Sequence, residues 1–242
     1  MAQDWPPLYS SPGQYQLNKG PQFSISKADS GGYGQVKQIS FVDSALNSAI
    51  NGTDVTVTLP NMLQGDVVYV FCGLSTAAGG GTSSSGWTQV GSTVDNTVRT
   101  QVFRKVMGRV PDATFVLTGS TVATDSAAAV AYALRGVNTN TPEDATATTA
   151  TGTSTDPDSP SITTVSAKSW VLAFAASAIV DATITVPTSY VNLITTSGDD
   201  TADVTVAGAM REVAIAGAEN PAAFTGWSSA AWVAWSVAVI AF

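Results

Sequence analysis

The side chains that could perform acid–base chemistry are mainly aspartates, and most of them lie in turn-like segments. Two carboxylates that face each other across a cleft would suit a glycosidase, and the sequence leaves that possibility open. The chain has no His, however, and so lacks the usual general base. Because Asp also caps and shapes turns, turn formation is the simpler explanation of these positions, and we expect no catalytic residues. The aspartates concerned are Asp43, Asp54, Asp66, Asp112, Asp156, Asp158, Asp199 and Asp200.

Three further segments could carry chemistry. The segment SGDDTADVT could bind calcium through Asp199, Asp200 and Asp203, but it lacks the regular ligand spacing of a known calcium loop. The glycine run AAGGGTSSSG has no Lys and no following helix, so we expect a loop rather than a phosphate site. Cys72 lies in the apolar run YVFCGL, and no His is present to activate its thiol. We therefore expect no bound metal, no cofactor and no enzymatic activity.

The charge composition of the chain limits the classes of partner that it can bind. Only 12% of residues are charged, about half the usual share, and the formal net charge is −8. The ten Lys and Arg are spread thinly along the chain, so no basic stripe exists to neutralise phosphates, and we expect no nucleic-acid partner.

Short segments rich in β-branched and aromatic residues, separated by Gly, Pro, Asp or Ser turns, predict an antiparallel all-β fold. In the first half of the chain they span residues 65–71, 87–93, 99–106, 113–119 and 128–137. The Thr/Ala-rich stretch TPEDATATTATGTSTDPDSP is too polar for a core and is interpreted as a loop.

After this stretch the pattern starts again. SWVLAFAAS resembles DVVYVFCGL, and SYVNLITT resembles GWTQVGST. Phe71 precedes Trp87 by sixteen residues, and Phe174 precedes Tyr190 by the same number. Simple β periodicity accounts for part of this match. We predict a β-sandwich over residues 41–242, built from quasi-repeats at about 50–138 and 157–242.

The last twenty residues, AFTGWSSAAWVAWSVAVIAF, contain no charge and reach the length of a membrane-spanning helix. Two observations favour a strand instead. The run occupies the place that AAAVAYALRGV holds in the first half, and the turn at Gly226 leaves about thirteen residues, too few to cross the bilayer as a helix. We therefore predict a strand covered on both faces and no membrane insertion.

Residues 1–40 are rich in Pro, Gly and aromatic residues and show no useful periodicity. They are interpreted as an extended arm, which either folds back on its own domain or, as we favour, binds a neighbouring subunit. The candidate partner-binding residues of this arm are Trp5, Pro6, Pro7, Tyr9, Tyr15 and Phe23.

The stretches GDVVYVF, SGWTQVGST, RTQVFRKVMG, ATFVLTG and AAAVAYALRGV together resemble the jelly-roll-like β-sandwich modules of virion proteins of tailed bacteriophages. This group includes capsid-decoration, head-fibre and tail-fibre proteins. The resemblance covers residues from about 50 to 242 and carries no catalytic positions, and Leu134 and Arg135 shift its last element slightly. The matching residues are Gly65, Asp66, Gly86, Trp87, Thr88, Arg104, Lys105, Val106, Tyr132, Gly136 and Val137.

The resemblance implies a jelly-roll-like fold and a location on the surface of a phage particle. We expect a non-enzymatic virion protein, a capsid-decoration or head- or tail-fibre adaptor subunit that docks on other virion proteins through its arm. Apolar surfaces and sheet edges predict a homo-oligomer such as a trimer. The alternative is a carbohydrate-binding module that recognises a host-surface glycan, with Tyr190 or Trp227 as sugar-stacking aromatics.

Overall fold

A computed structural model describes residues 38–75, 80–119, 125–180 and 183–242. Within these ranges the chain forms fifteen strands and no helix, and every strand pair within its sheets is antiparallel. The all-β antiparallel fold predicted from the sequence is thus confirmed. The described residues all belong to one unit that runs from Val36 to Phe242.

The first half of this unit forms a large and a small sheet. The large sheet has five strands in the order β1-β8-β3-β6-β5, and the small sheet has three in the order β2-β7-β4. The strands are β1 Ser40–Ile50, β2 Val55–Thr58, β3 Val67–Leu74, β4 Thr82–Ser83, β5 Thr88–Asp95, β6 Val98–Val106, β7 Thr114–Thr118 and β8 Ser126–Arg135.

The second half forms another large sheet, ordered β9-β15-β11-β13-β12, and a small sheet of β10 and β14. When β1, β8, β3, β6 and β5 are matched with β9, β15, β11, β13 and β12, the two large sheets have the same strand order. The strands are β9 Thr148–Ser154, β10 Ile162–Thr164, β11 Ser169–Ser177, β12 Val191–Gly198, β13 Val204–Val213, β14 Gly217–Glu219 and β15 Ala230–Val239.

The four sheets enclose three apolar cores. The middle core lies between the two large sheets, and each outer core lies between a large sheet and its own half's small sheet or loops. On β3, Tyr69 and Phe71 face the middle core, whereas Val70 and Cys72 face an outer core. Because β3, β8, β11, β13 and β15 are covered on both faces, they read as nearly continuous apolar runs.

The middle core joins the two halves of the chain. At its centre the rings of Phe71 and Phe174 stack at a centroid distance of 5.0 Å, with 11° between their planes. Trp235 reaches across the core and donates a hydrogen bond from Nε1 to Oγ1 of Thr100 at 2.8 Å. The hydroxyl of Thr100 therefore satisfies the only polar atom of this indole ring.

The C-terminal run is a strand, as predicted. β15 pairs with β11 on one side and with β9 on the other. Its second face is covered by residues of its own half, including Ile162, Phe224 and Trp227. Among the described residues there is no helix long and apolar enough to cross a membrane.

The prediction of a loop between the two halves was wrong. The Thr/Ala-rich stretch interpreted as a loop contains β9, which forms seven backbone pairs with β15 at the edge of the second large sheet. The burial of β9 alternates along the strand because an edge strand needs apolar cover on one face only, and β-branched Thr suits that position. Strands β1 and β9 both begin before the expected repeat boundaries at about 50 and 157.

Candidate functional site

The predicted partner-binding residues cannot be placed, because they lie outside the described ranges. They are Trp5, Pro6, Pro7, Tyr9, Tyr15 and Phe23. The candidate chemistry that can be placed consists of the charged and aromatic side chains of residues 38–242.

Asp66 locks the start of β3 to the end of β8. Its carboxylate is almost fully buried and accepts hydrogen bonds from Nε and Nη2 of Arg135, both at 2.8 Å. The same carboxylate accepts the backbone N–H of Leu63 at 2.8 Å, which closes the turn before the strand. A two-pronged guanidinium pair of this kind fixes geometry as well as charge. Asp66 is therefore a structural residue.

Trp87, Lys105 and Asp112 form a cluster at the edge of the first outer core. Oδ2 of Asp112 contacts Nζ of Lys105 at 2.6 Å and accepts a hydrogen bond from Nε1 of Trp87 at 3.3 Å. The ammonium group also lies 6.0 Å from the centroid of the indole ring. Two residues of the virion-protein pattern, Trp87 and Lys105, thus tie β6 to the segments before β5 and β7.

The second half contains a matching cluster. Oε1 of Glu219 contacts Nη1 of Arg211 at 2.8 Å and accepts a hydrogen bond from the hydroxyl of Tyr190 at 3.2 Å. Burial, together with the charge of Glu219, raises the pKa of Tyr190 above its usual value. Trp87 follows Phe71 by sixteen residues, and Tyr190 follows Phe174 by the same number. In each half this aromatic side chain donates a hydrogen bond to a carboxylate that also contacts a cation.

Glu143 anchors the segment between the two halves. Its Oε1 accepts a hydrogen bond from the hydroxyl of Tyr69 at 3.0 Å and lies 2.7 Å from Nε of Arg104. Glu143 also forms an isolated backbone bridge with Val239 of β15. Burial, and secondarily the charge of Glu143, raises the pKa of Tyr69. Asp66, Asp112, Glu143 and Glu219 are thus each paired with a cation rather than with a second carboxylate.

One of the aspartates considered for calcium, Asp203, has a local structural role, whereas Oδ2 of Asp200 is buried without a hydrogen-bond partner among the described residues. The backbone N–H of Asp200 donates to Oδ1 of Asp203 at 3.0 Å, which shapes the turn before β13. Within the described ranges, no group of three His, Cys, Asp or Glu side chains is arranged to hold a metal ion.

The glycine run and the cysteine also have structural roles where they are described. Gly81 is clamped by the side chain of Gln101, which accepts its N–H at 2.9 Å and donates to its carbonyl at 3.1 Å. Cys72 is fully buried in an outer core, and burial raises the pKa of its thiol far above the usual range. The glycine run was interpreted as a loop, but its residues Thr82 and Ser83 form β4, which pairs with β7.

Tyr190 and Trp227, the two proposed sugar-stacking aromatics, do not lie on an exposed surface. Each is only 4% exposed, and both rings pack in the second outer core. A ring in this position cannot stack on a saccharide without unfolding of the core around it. A carbohydrate site on the described part of the chain would have to use other residues.

Two of the surface clefts formed by the described residues are candidate binding sites. One, of about 390 Å³, lies beside the Asp66–Arg135 pair and is bordered by Leu63 and Phe242. The other, of about 430 Å³, lies between β5 and the segment before β9 and includes Arg104 and Glu143. The second cleft was not predicted from the sequence. The available signal was the pair Glu143–Asp144, the only charged residues at the start of a Thr/Ala-rich stretch.

No family model, curated protein or solved structure matches this chain. Its function is therefore inferred from its sequence and geometry.

Proposed function

We propose that this chain is a non-enzymatic structural subunit of a bacteriophage particle, either a capsid-decoration protein or a head- or tail-fibre adaptor. The arm, predicted over residues 1–40, docks on other virion proteins with its part before Gln38, because Ile39 and Ser40 belong to the β-sandwich, and the β-sandwich is presented outward. The observation that supports this proposal is that residues of the virion-protein pattern stabilise the β-sandwich. The charged and aromatic residues of the pattern serve the sandwich itself, Asp66 and Lys105 in ion pairs and Trp87 in a hydrogen bond.

We also infer that each half of the chain is a jelly-roll-like quasi-repeat. A jelly roll is a double sheet made from two Greek keys, in which the first and last strands are neighbours. In the first half, β1 lies beside β8, β2 beside β7 and β3 beside β6. The second half repeats this order, and its cluster around Glu219 repeats the cluster around Asp112.

A homo-oligomeric assembly is part of the proposal. Strands β1 and β12 end their sheets on one side of the body, where they lie close together, and β5 and β9 end them on the other. Unpaired sheet edges and exposed apolar side chains favour association. The β1/β12 side carries exposed Leu46, Val191 and Leu193. Light scattering on the purified chain measures the mass of the assembly, and a monomer at all concentrations would contradict this part of the proposal.

The docking role is tested by truncation. Ile39 is buried in the middle core, so the deletion should end at residue 37. We expect the full chain to co-sediment with phage particles that lack the endogenous protein. The truncated chain should keep the thermal midpoint of its body but no longer co-sediment.

Point variants sharpen this test. Trp5→Ala should weaken particle binding, whereas Phe242→Ala, which removes an exposed aromatic ring from the body, should leave it unchanged. Equal sedimentation of the truncated and full chains would disprove docking through the arm. Failure of the full chain to bind would count against a place on the particle altogether.

A further inference from the structure

The cleft between β5 and the segment before β9 is large enough to hold a small molecule. Its volume of about 430 Å³ falls within the range of natural ligand pockets. Its walls come from both halves of the chain, since Thr88, Gln89 and Val90 belong to the first and residues 145–147 lead into β9.

The Arg104–Glu143 pair forms the charged part of the cleft. Tyr69 donates a hydrogen bond to Oε1 of Glu143, and Nε of Arg104 lies 2.7 Å from the same oxygen in an ion pair that lacks hydrogen-bond geometry. The terminal nitrogens Nη1 and Nη2 of Arg104, and Oε2 of Glu143, make no hydrogen bond with any described residue. The pair therefore has donors and an acceptor available side by side.

The remaining lining is uncharged. Thr88, Gln89 and Thr146 are exposed, and their side chains make no hydrogen bond within the described part of the chain. They offer hydroxyl and amide groups, which both donate and accept. The partly buried side chains of Val90, Ala145 and Ala147 add small apolar surfaces between them.

We propose that this cleft binds one ring of a neutral saccharide. A sugar hydroxyl is both a donor and an acceptor, so neighbouring hydroxyls can accept from Arg104 and donate to Glu143 at the same time. The apolar C–H face of the ring would pack on Val90, Ala145 and Ala147.

A neutral ligand fits the charge of the site better than an ion does. Glu143 already neutralises Arg104, and the chain carries a net charge of −8, which repels anions. A cation would meet only one carboxylate, and that carboxylate is already paired. No aromatic ring lines the cleft, so we expect weak binding, with a Kd of roughly 1 mM.

This inference does not depend on the virion proposal, because it concerns binding by the isolated chain. The test is a titration of the isotope-labelled full chain with glucose, galactose, mannose and N-acetylglucosamine, followed by amide chemical shifts. Glucuronate serves as the anionic comparison. We expect saturable shifts at residues 88–90 and 145–147 with at least one neutral sugar, and weaker binding of glucuronate.

Two matched variants locate the site. Gln89→Ala removes an exposed amide from the cleft and should raise the Kd about tenfold, the loss of a good hydrogen-bonding group. Gln64→Ala makes the same change in the other cleft and should leave the Kd unchanged. Neither substitution touches a buried side chain.

Three results would overturn the proposal. The first is the absence of shifts with every neutral sugar at about 100 mM, well above the expected Kd. The second is a set of shifts that maps elsewhere or persists unchanged in Gln89→Ala. The third is tighter binding of glucuronate than of the neutral sugars, which would show that the pair acts as a free cation.

Discussion

Phe174→Ala tests whether the two halves of the chain depend on one shared core. Phe174 is fully buried, stacks on Phe71 at 5.0 Å and lies 5.9 Å from the ring of Tyr132. Its removal opens a cavity between two five-stranded sheets, whose paired backbones cannot collapse to fill it. We therefore expect a loss of stability in the upper part of the usual range of about 3–5 kcal/mol for a buried phenylalanine.

The assay is equilibrium unfolding in urea, followed by circular dichroism and by tryptophan fluorescence. For a chain of this size, a loss of about 4 kcal/mol lowers the thermal midpoint by about 8–16 °C. The matched control is Phe242→Ala, because Phe242 is 57% exposed and its removal should change the midpoint little. Adding Phe71→Ala to Phe174→Ala completes a double-mutant cycle, with an expected coupling of about 0.5–1.5 kcal/mol.

Two results would refute this reasoning. If Phe174→Ala were no less stable than Phe242→Ala, the middle core would not hold the halves together. If the wild-type chain unfolded in two well-separated transitions, the halves would be independent units, and the shared core would contribute little to either.

Two further predictions concern close packing and burial. Gly73→Ala places a methyl group 2.5 Å from Cγ1 of Val206, across the two large sheets, and should cost about 1–3 kcal/mol in urea unfolding, whereas Gly108→Ala meets open space and should be nearly neutral. Burial raises the pKa of each described tyrosine above its value in the unfolded chain. The folded state therefore keeps its full stability below about pH 10 and loses stability as the pH rises further, because the unfolded chain ionises first. In the chain truncated before Gln38, phenolate absorbance should therefore appear only with alkaline unfolding, and phenolate formation in the folded state would contradict this; its tyrosines are Tyr69, Tyr132 and Tyr190.

The strands buried on both faces were the easiest to predict from the sequence. β11 was predicted with its observed bounds, and β15 was recognised as a strand despite its apolar length. Both are continuous apolar runs bounded by turns, and this local signal survives folding because the sheets cover both faces. The edge strand β9 gave no such signal, since its half-buried Thr residues have the composition of a linker.

The clusters of charged residues could not be read from the chain in the same way. Glu143 meets Arg104 and Tyr69, and these contacts join residues 39 and 74 positions apart. No spacing rule connects such positions, because the contacts depend on how the large sheets stack. The burial of Tyr190 and Trp227 could not be predicted for the same reason. The local sequence around an aromatic residue near a turn is the same whether its side chain faces solvent or a neighbouring layer.

The repeated strand order means that one polypeptide supplies what a symmetric dimer would need two copies to build. A dimer of two identical halves would necessarily present the same outer rim twice. In a fused chain each rim can diverge separately, and here Thr88 and Gln89 stand on one side where Val191 and Asn192 stand on the other. One rim is thereby more polar, as the proposed saccharide cleft requires, and the other is more apolar, as the proposed contact between subunits requires.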